Sequence, residues 1–444
     1  MIRRRSHWLG AAAAAGGLCL PFAAAHAVPS YATQTGSPCQ ACHVGGFGPQ
    51  LTPYGRAFKL HGYTTRSGGF TVPISAMAVA SYIRTQKDQE SPPAPHYGVN
   101  DNVTIDQVSL FVAGGVGHVG AFIQATYDGV ARAFHWDNLD IRATTDIKLA
   151  GKPTVIGVSL NNAPTLTDPF NTLVAWGYPY TTSSVAPSPA AAPLIGGLAQ
   201  TSLGANAYAW FNSQLYLEAG GYVSPSANFL TRAGVDPTDP GNINGVAPYL
   251  RIAYDKSWGQ RNLEVGAFAM KADIYPGHDE SAYTTDKYTD VGLDASFQKF
   301  AHNGDAFTVN GRYTYEDQRL DASQALGLAT SNRLHLQDLR VDASYYWRNE
   351  IGFTVQAFDT WGPPDQLIYA ANSTFKPASS GVMLQVDGTP FGAGNSPLGK
   401  RFNVRMGLQY TDYFTFDGAG SNYDGFGRNA HDNNTLRLFT WVAY

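Results

Sequence analysis

Phe402-Asn403-Val404-Arg405-Met406-Gly407-Leu408-Gln409-Tyr410-Thr411 sets Phe402, Val404, Met406, Leu408 and Tyr410 on one side of an extended chain and Asn403, Arg405, Gly407, Gln409 and Thr411 on the other. Successive strand side chains point to opposite faces, so this period-two alternation is a strand signature. The pattern recurs upstream. Val341, Ala343, Tyr345 and Trp347 alternate with Arg340, Asp342, Ser344 and Tyr346. Phe307, Val309, Tyr313 and Tyr315 alternate with Thr308, Asn310, Arg312 and Thr314, and Val291, Leu293, Ala295 and Phe297 with Asp290, Asp294, Ser296 and Gln298. From about residue 71 onward the texture holds to the end, with no uninterrupted apolar run near the ~20 residues that a helical membrane span needs. Two all-β architectures fit. In a soluble sandwich the apolar face is the core; in an outer-membrane barrel it meets lipid and the polar face lines the lumen.

Length and connections favour the barrel. The 444-residue chain is long for one sandwich and shows no domain break among its strands. Short turns at 114–117, 212–213 and 348–350 alternate with long loops at 85–102, 163–203, 224–244 and 417–433. Short periplasmic turns and long outer loops are the barrel pattern. The chain ends Leu436, Leu438, Thr440, Val442, Tyr444, an alternating strand with an aromatic terminal residue. The expectation is an outer-membrane antiparallel β-barrel of about 16 strands, an even number that leaves both ends of the strand region in the periplasm. The connection 390–400 is too long for this scheme and leaves the count open. Aromatics make up 13% of the chain, which suits interfacial girdles and equally the preference of aromatics for strands.

A second stretch carries chemistry: Pro38-Cys39-Gln40-Ala41-Cys42-His43. Cys-X-X-Cys-His is the spacing for covalent attachment of a c-type haem. Cys39 and Cys42 would form thioethers to the vinyl groups, and His43 would be the proximal iron ligand. The third cysteine, Cys19, falls in a segment expected to be cleaved. A plain disulfide is an alternative in an exported chain, but it leaves His43 without a role. A four-ligand zinc site needs two further ligands, and no nearby Cys/His cluster supplies them. Residues 51–63 read as a short helix, with Thr52 as N-cap, Pro53 in the first turn and Gly62 at the close. His61, at the end of that helix, is the tentative distal iron ligand; Met77 and Met270 are thioether candidates, and a five-coordinate iron is a further option. A few dozen residues cannot enclose a haem with a core of their own, so the haem must take its walls from the rest of the chain.

Arg3, Arg4 and Arg5, an apolar alanine-rich run from Trp8 to Ala25 and the exit Ala25-His26-Ala27 describe a secretory signal peptide over residues 1–27. Without those three arginines the 30 Lys and Arg fall to 27 against 34 Asp and Glu. That mildly acidic balance gives no sign of nucleic-acid binding. The expected organisation is a signal peptide at 1–27, a monohaem cytochrome c segment at 28–70 and a porin-like barrel at 71–444.

The haem motif is followed by Leu51-Thr52-Pro53-Tyr54-Gly55-Arg56-Ala57-Phe58-Lys59 and Gly62-Tyr63-Thr64, then by the barrel pattern. This combination resembles the fused outer-membrane monohaem cytochrome–porins, a family that includes the outer-membrane iron oxidases of Fe(II)-oxidising bacteria. Asn161-Asn162-Ala163-Pro164-Thr165, Asp168-Pro169-Phe170-Asn171-Thr172 and Ala175-Trp176-Gly177 look like the family's long-loop motif. Asn422-Tyr423-Asp424-Gly425-Phe426-Gly427-Arg428-Asn429 and Asp432-Asn433-Asn434-Thr435 look like its last outer loop. The resemblance implies one covalent haem c in a lumen plug, set in outer-membrane lipid. It also implies one-electron transfer from an extracellular donor, Fe(II) above all, to a periplasmic c-type cytochrome. The family spans organisms not known to oxidise iron, so electron transfer carries over more firmly than substrate does.

The loop at 163–203 is expected to fold into the mouth as a constriction, with Asp168 and Trp176 its residues of interest. Asp88, Glu90 and His96 of the first outer loop offer hard oxygen or imidazole ligands for Fe(II), but read first as ordinary solvated loop residues. Three rivals stand beside the conduit: a passive porin plugged by the haem segment, a haem peroxidase, and the same structure exporting electrons to extracellular acceptors. No peroxide-cleaving constellation supports the second.

Overall fold

The strand Ile74–Thr85 pairs antiparallel with Asn102–Val116 on one side and with the last strand, Thr435–Ala443, on the other. That double pairing closes a ring. The structure, a computed structural model, describes residues 28–444; the expected signal peptide at 1–27 and Cys19 lie outside the described residues. Sixteen strands of 9 to 17 residues make up the ring, each paired with its neighbours in sequence. A two-residue strand, Asn242–Ile243, adds to the end of Arg261–Tyr275 without entering the ring. Backbone bonds between Ala76 and Tyr444, 2.9 Å in each direction, hold the two ends of the barrel side by side.

The direction of burial decides between sandwich and barrel. In the strand Asn403–Thr415, Met406 is 50% and Leu408 42% exposed, while Asn403 is 0% and Arg405 1%. In Ala247–Trp258, Leu250, Ile252 and Tyr254 are likewise exposed, with Tyr249, Arg251 and Ala253 buried. Apolar side chains therefore point away from the enclosed space and polar ones into it, the inverse of a soluble core. A closed ring leaves no unpaired strand edge, as a chain crossing lipid requires. The molecule is an outer-membrane β-barrel. Several of its lumen-facing charges are paired: Arg142 with Asp140 at 2.8 Å, Arg405 with Asp387 at 2.8 Å and Arg437 with Asp106 at 3.0 Å.

Short turns collect at one rim. Asn212 and Ser213 (φ 51° and 55°), like Arg348 and Asn349 (φ 53° and 55°), place two successive residues in the left-handed region. That is the conformation that matches the strand twist in two-residue hairpins. The anomalously long connection between Ser379–Gly388 and Asn403–Thr415 also lies at this rim, and the ring still counts sixteen. The extra length wraps the cysteine-bearing segment, which is distant in sequence. Gln40 N–H donates to the Gly392 carbonyl at 3.2 Å, and Lys400 Nζ to the Gly36 carbonyl at 3.4 Å. Gly46 and Gly392 pack so closely that a Cβ on either would meet the other's backbone.

Residues 28–64 sit inside the ring, tied to strands on all sides, and 67–70 run out exposed toward the first strand. Gly115 N–H donates to Gln34 Oε1 at 2.8 Å, Gln298 Nε2 to the Leu51 carbonyl at 2.8 Å and Tyr208 Oη to the Leu60 carbonyl at 2.8 Å. Arg405 Nη1 donates to the Phe47 carbonyl at 2.8 Å. Arg56 donates from Nη1 to Asn262 at 2.6 Å and to Asp255 at 3.1 Å, and from Nη2 to Ser296 at 3.0 Å. The loop at 162–202 turns into the same lumen, the constriction expected from its length. Arg251 meets Asp168 at 3.0 Å, Gln356 Nε2 donates to the Tyr178 carbonyl at 2.7 Å and Arg437 to the Thr181 carbonyl at 2.6 Å.

Candidate cofactor site in the lumen

Pro38 is extended and starts a single helical turn, Cys39–Cys42, which the His43 N–H closes by donating to the Cys39 carbonyl at 2.9 Å. The chain then doubles back. Val44 N–H donates to the Gln50 carbonyl at 2.9 Å, and His43 and Leu51 form an isolated antiparallel bridge. Thr52 next has two jobs. Its Oγ1 accepts from Gly55 N–H at 3.2 Å, capping the helix Pro53–Leu60 as the sequence predicts. The same residue donates to the cysteine turn, from its N–H to the Cys42 carbonyl at 2.9 Å and from Oγ1 to the Ala41 carbonyl at 2.6 Å. Gly55 completes the fit, because a Cβ there would collide with the Cys42 carbonyl oxygen. Thr52-Pro53-Tyr54-Gly55 is thus a helix start and the seat of the cysteine turn at once.

Cys39 and Cys42 are free thiols, and with His43 they line one cavity of about 340 Å³. Burial pushes both thiols up, Cys42 to about 12 with Cys39 adding to the effect; at Cys39 a hydrogen bond from Asn403 opposes it. Burial pushes the His43 imidazole down to about 4, with the Gly48 backbone opposing. At neutral pH the cysteines are therefore thiols and the histidine is neutral, the form in which imidazole binds metal. The residues fit a covalently attached haem: two free thiols, a neutral imidazole next to them in sequence, and an aromatic cavity beside them.

The walls come from three parts of the chain. The lumen segment supplies Phe58 and Tyr63, the barrel wall Phe111 and Phe122, and the inward loop Trp176 and Tyr180. Tyr31 stacks on Tyr63 with centroids 5.4 Å apart, and Phe122 meets the edge of Trp176 at 5.9 Å. Lys59 fastens segment to loop. Its Nζ donates to the Leu166 carbonyl at 3.0 Å, the Asp168 carbonyl at 2.6 Å and Asn171 Oδ1 at 2.9 Å, and lies 4.5 Å over the Trp176 ring. Burial lowers Lys59 to about 7, Arg142 adds to this, and Asp140, Asp168 and Glu218 oppose it. Burial would raise the Asp168 carboxyl, but Arg251, Lys59 and the amides of Leu173 and Phe170 hold it below its ordinary value.

Cys39, Cys42 and His43 are brought together as the spacing requires, and Met77 and Trp176 line the same cavity. The tentative distal ligand is not brought there. His61 Nδ1 lies 2.7 Å from the Ala57 carbonyl and Nε2 3.5 Å from Asp146 Oδ1, and the ring is no part of the cavity wall. Its place at the helix end turns it toward the barrel wall. Met270 packs in a separate cluster with Leu173 and Ile195. Asp88, Glu90 and His96 stay exposed on the first outer loop, and among the described residues no group of three or more His, Cys, Asp or Glu is set to hold a metal ion. Sequence reading missed Trp441, which lines the cavity and donates from Nε1 to Met77 Sδ at 3.1 Å. A signal existed: Phe439 and Trp441 put aromatics on the lumen side of the last strand, where the barrel pattern asks for polar residues.

No family model and no curated protein matches the chain. Among solved structures it is similar to outer-membrane barrels. OprB of Pseudomonas putida aligns at 12% identity over 83% of this chain and 93% of that one, with a TM-score of 0.48. An anion-selective porin from Comamonas acidovorans aligns at 11% identity over 84% and 99%, with a TM-score of 0.46. The outer-membrane channel DcaP of Acinetobacter baumannii aligns at 10% identity over 84% and 96%, with a TM-score of 0.45. The barrel assignment here rests on the chain's own strand pairing and inverted burial.

Proposed function

We propose that this barrel is a cytochrome–porin fusion that carries electrons across the outer membrane through one covalently bound haem c in its lumen. The donor in this reading is extracellular, Fe(II) by the resemblance to the fused cytochrome–porins, and the acceptor is a periplasmic c-type cytochrome. One observation carries it: two free thiols and an imidazole at haem-attachment spacing converge on an aromatic cavity inside a membrane barrel. When bound, the haem supplies a one-electron carrier. The chain does the rest. Cys39 and Cys42 fix the group, and His43 supplies an uncharged ligand. Phe58, Phe111, Phe122 and Trp176 keep water from the cavity, and Lys59 holds the inward loop against it. Burial and hydrogen bonding around such a site are the levers that set its potential.

The test is a visible spectrum of the protein purified from outer membranes, recorded during anaerobic titration with Fe(II). The expected result is a c-type spectrum that becomes fully reduced at one equivalent of Fe(II). A c-type spectrum silent to Fe(II) would keep the conduit and reject the donor. A chain without haem would reject the conduit and leave a passive porin with a lumen plug.

A further inference from the structure

Of the described residues lining the cavity, His43 is the sole imidazole and Met77 the sole thioether. Met77 belongs to the strand Ile74–Thr85, where buried Ser75, Val79, Ser81 and Ile83 share its parity and face the lumen. It packs between two apolar clusters, Phe47, Val79, Phe439 and Trp441 on one side and Phe58, Phe111 and Phe122 on the other. Several other lining groups able to bind iron are engaged elsewhere, Asp137 accepting from Thr126 and Gln200. Tyr31 Oη donates to the Ala121 carbonyl at 2.8 Å, Tyr63 Oη to Asp140 at 2.6 Å, and Lys59 Nζ spends its donors on three oxygens.

We propose that Met77 Sδ supplies the second axial ligand to the haem that Cys39, Cys42 and His43 would hold, an inference that rests on the function proposed above. A thioether carries no proton and no charge, so it suits an apolar wall where a second imidazole or a lysine would first have to be desolvated. Sulfur has two lone pairs, and the Trp441 N–H engages one of them. That contact orients the side chain and draws electron density from the sulfur, which favours the reduced iron. Methionine–histidine ligation itself raises the potential of a c-type haem. Trp441 is then a positioning residue, reaching the iron through Met77.

The experiment uses the full-length haem-loaded protein and reads the ferric spectrum, where a methionine sulfur on iron gives a weak far-red charge-transfer band. The band is expected in the unaltered protein, lost in Met77→Leu and kept in Met270→Leu. Leucine preserves most of the side-chain volume, so the cavity wall is retained. Met77→His is expected to lack the band, stay six-coordinate and show a lower midpoint potential in an equilibrium titration. A c-type spectrum without the band in the unaltered protein, or a band that survives in Met77→Leu, would overturn the ligand while leaving the haem in place. Absence of any c-type spectrum would overturn the proposed function and the ligand with it.

Discussion

Lys59 shows what one buried charge does when its neighbours are divided. An ordinary lysine titrates near 10.5, and burial with Arg142 nearby brings this one to about 7. Between those values the unfolded chain holds a proton that the folded chain lacks, so stability rises with pH across that window. Below about 7 the folded protein must keep the ammonium buried, and the link from segment to loop is least favourable there. The charge stands 4.5 Å over the Trp176 ring, which makes it visible. Trp176 emission is expected to change with a midpoint near pH 7 in the unaltered protein and to be flat across that range in Lys59→Met. A transition that persists in Lys59→Met would place the titrating group elsewhere.

At the scale of the element, the inward loop at 162–202 is held by charge rather than by secondary structure. Arg251 reaches Asp294 at 2.8 Å, Asp168 at 3.0 Å and Glu264 at 3.4 Å, all four side chains fully buried. Removing the cation leaves three carboxylates without their counter-charge, a change that costs about 3–5 kcal/mol where a buried pair is broken. Arg251→Met is expected to release the loop, read as faster amide exchange at 168–178 while strand exchange stays slow. Unchanged exchange there would mean that Lys59 and the Asp168 turn hold the loop unaided. Such contacts are also where sequence reading ends. Alternation made the strands legible because Asn403 and Met406 declare their faces within four residues, and Thr52 and Pro53 declared their helix just as locally. Arg56 meets Ser296 and Trp441 meets Met77 only after the ring has closed, and no local period encodes such partners. The connection at 389–402 illustrates the same limit. Its length was legible, but its cause, the packing of Gly392 on Gly46, lies more than 300 residues away. His61 was read by nearness in sequence, and the helix end points it elsewhere.

For the whole molecule the question is whether the lumen passes solutes. The wall is hydratable: Arg142, Arg405 and Arg437 each pair with a carboxylate facing inward. A barrel of sixteen strands with such a wall leaves an aqueous channel when nothing fills it. Here residues 28–64 and the loop at 162–202 fill it, bonded to strands around the ring. A conduit benefits from that filling, since it excludes water from the cavity wall and blocks leakage of small solutes across the membrane. Reconstituted in planar bilayers, the intact protein is therefore expected to show little ion conductance, and a chain lacking residues 28–70 a large one. The truncated chain keeps every strand and every wall ion pair except those made by the segment itself, such as Arg56 with Asp255, so loss of folding would register as no insertion rather than as a closed channel. If the intact protein conducts as freely as the truncated one, the lumen is open beside the segment. The passive porin reading would then gain what the conduit loses.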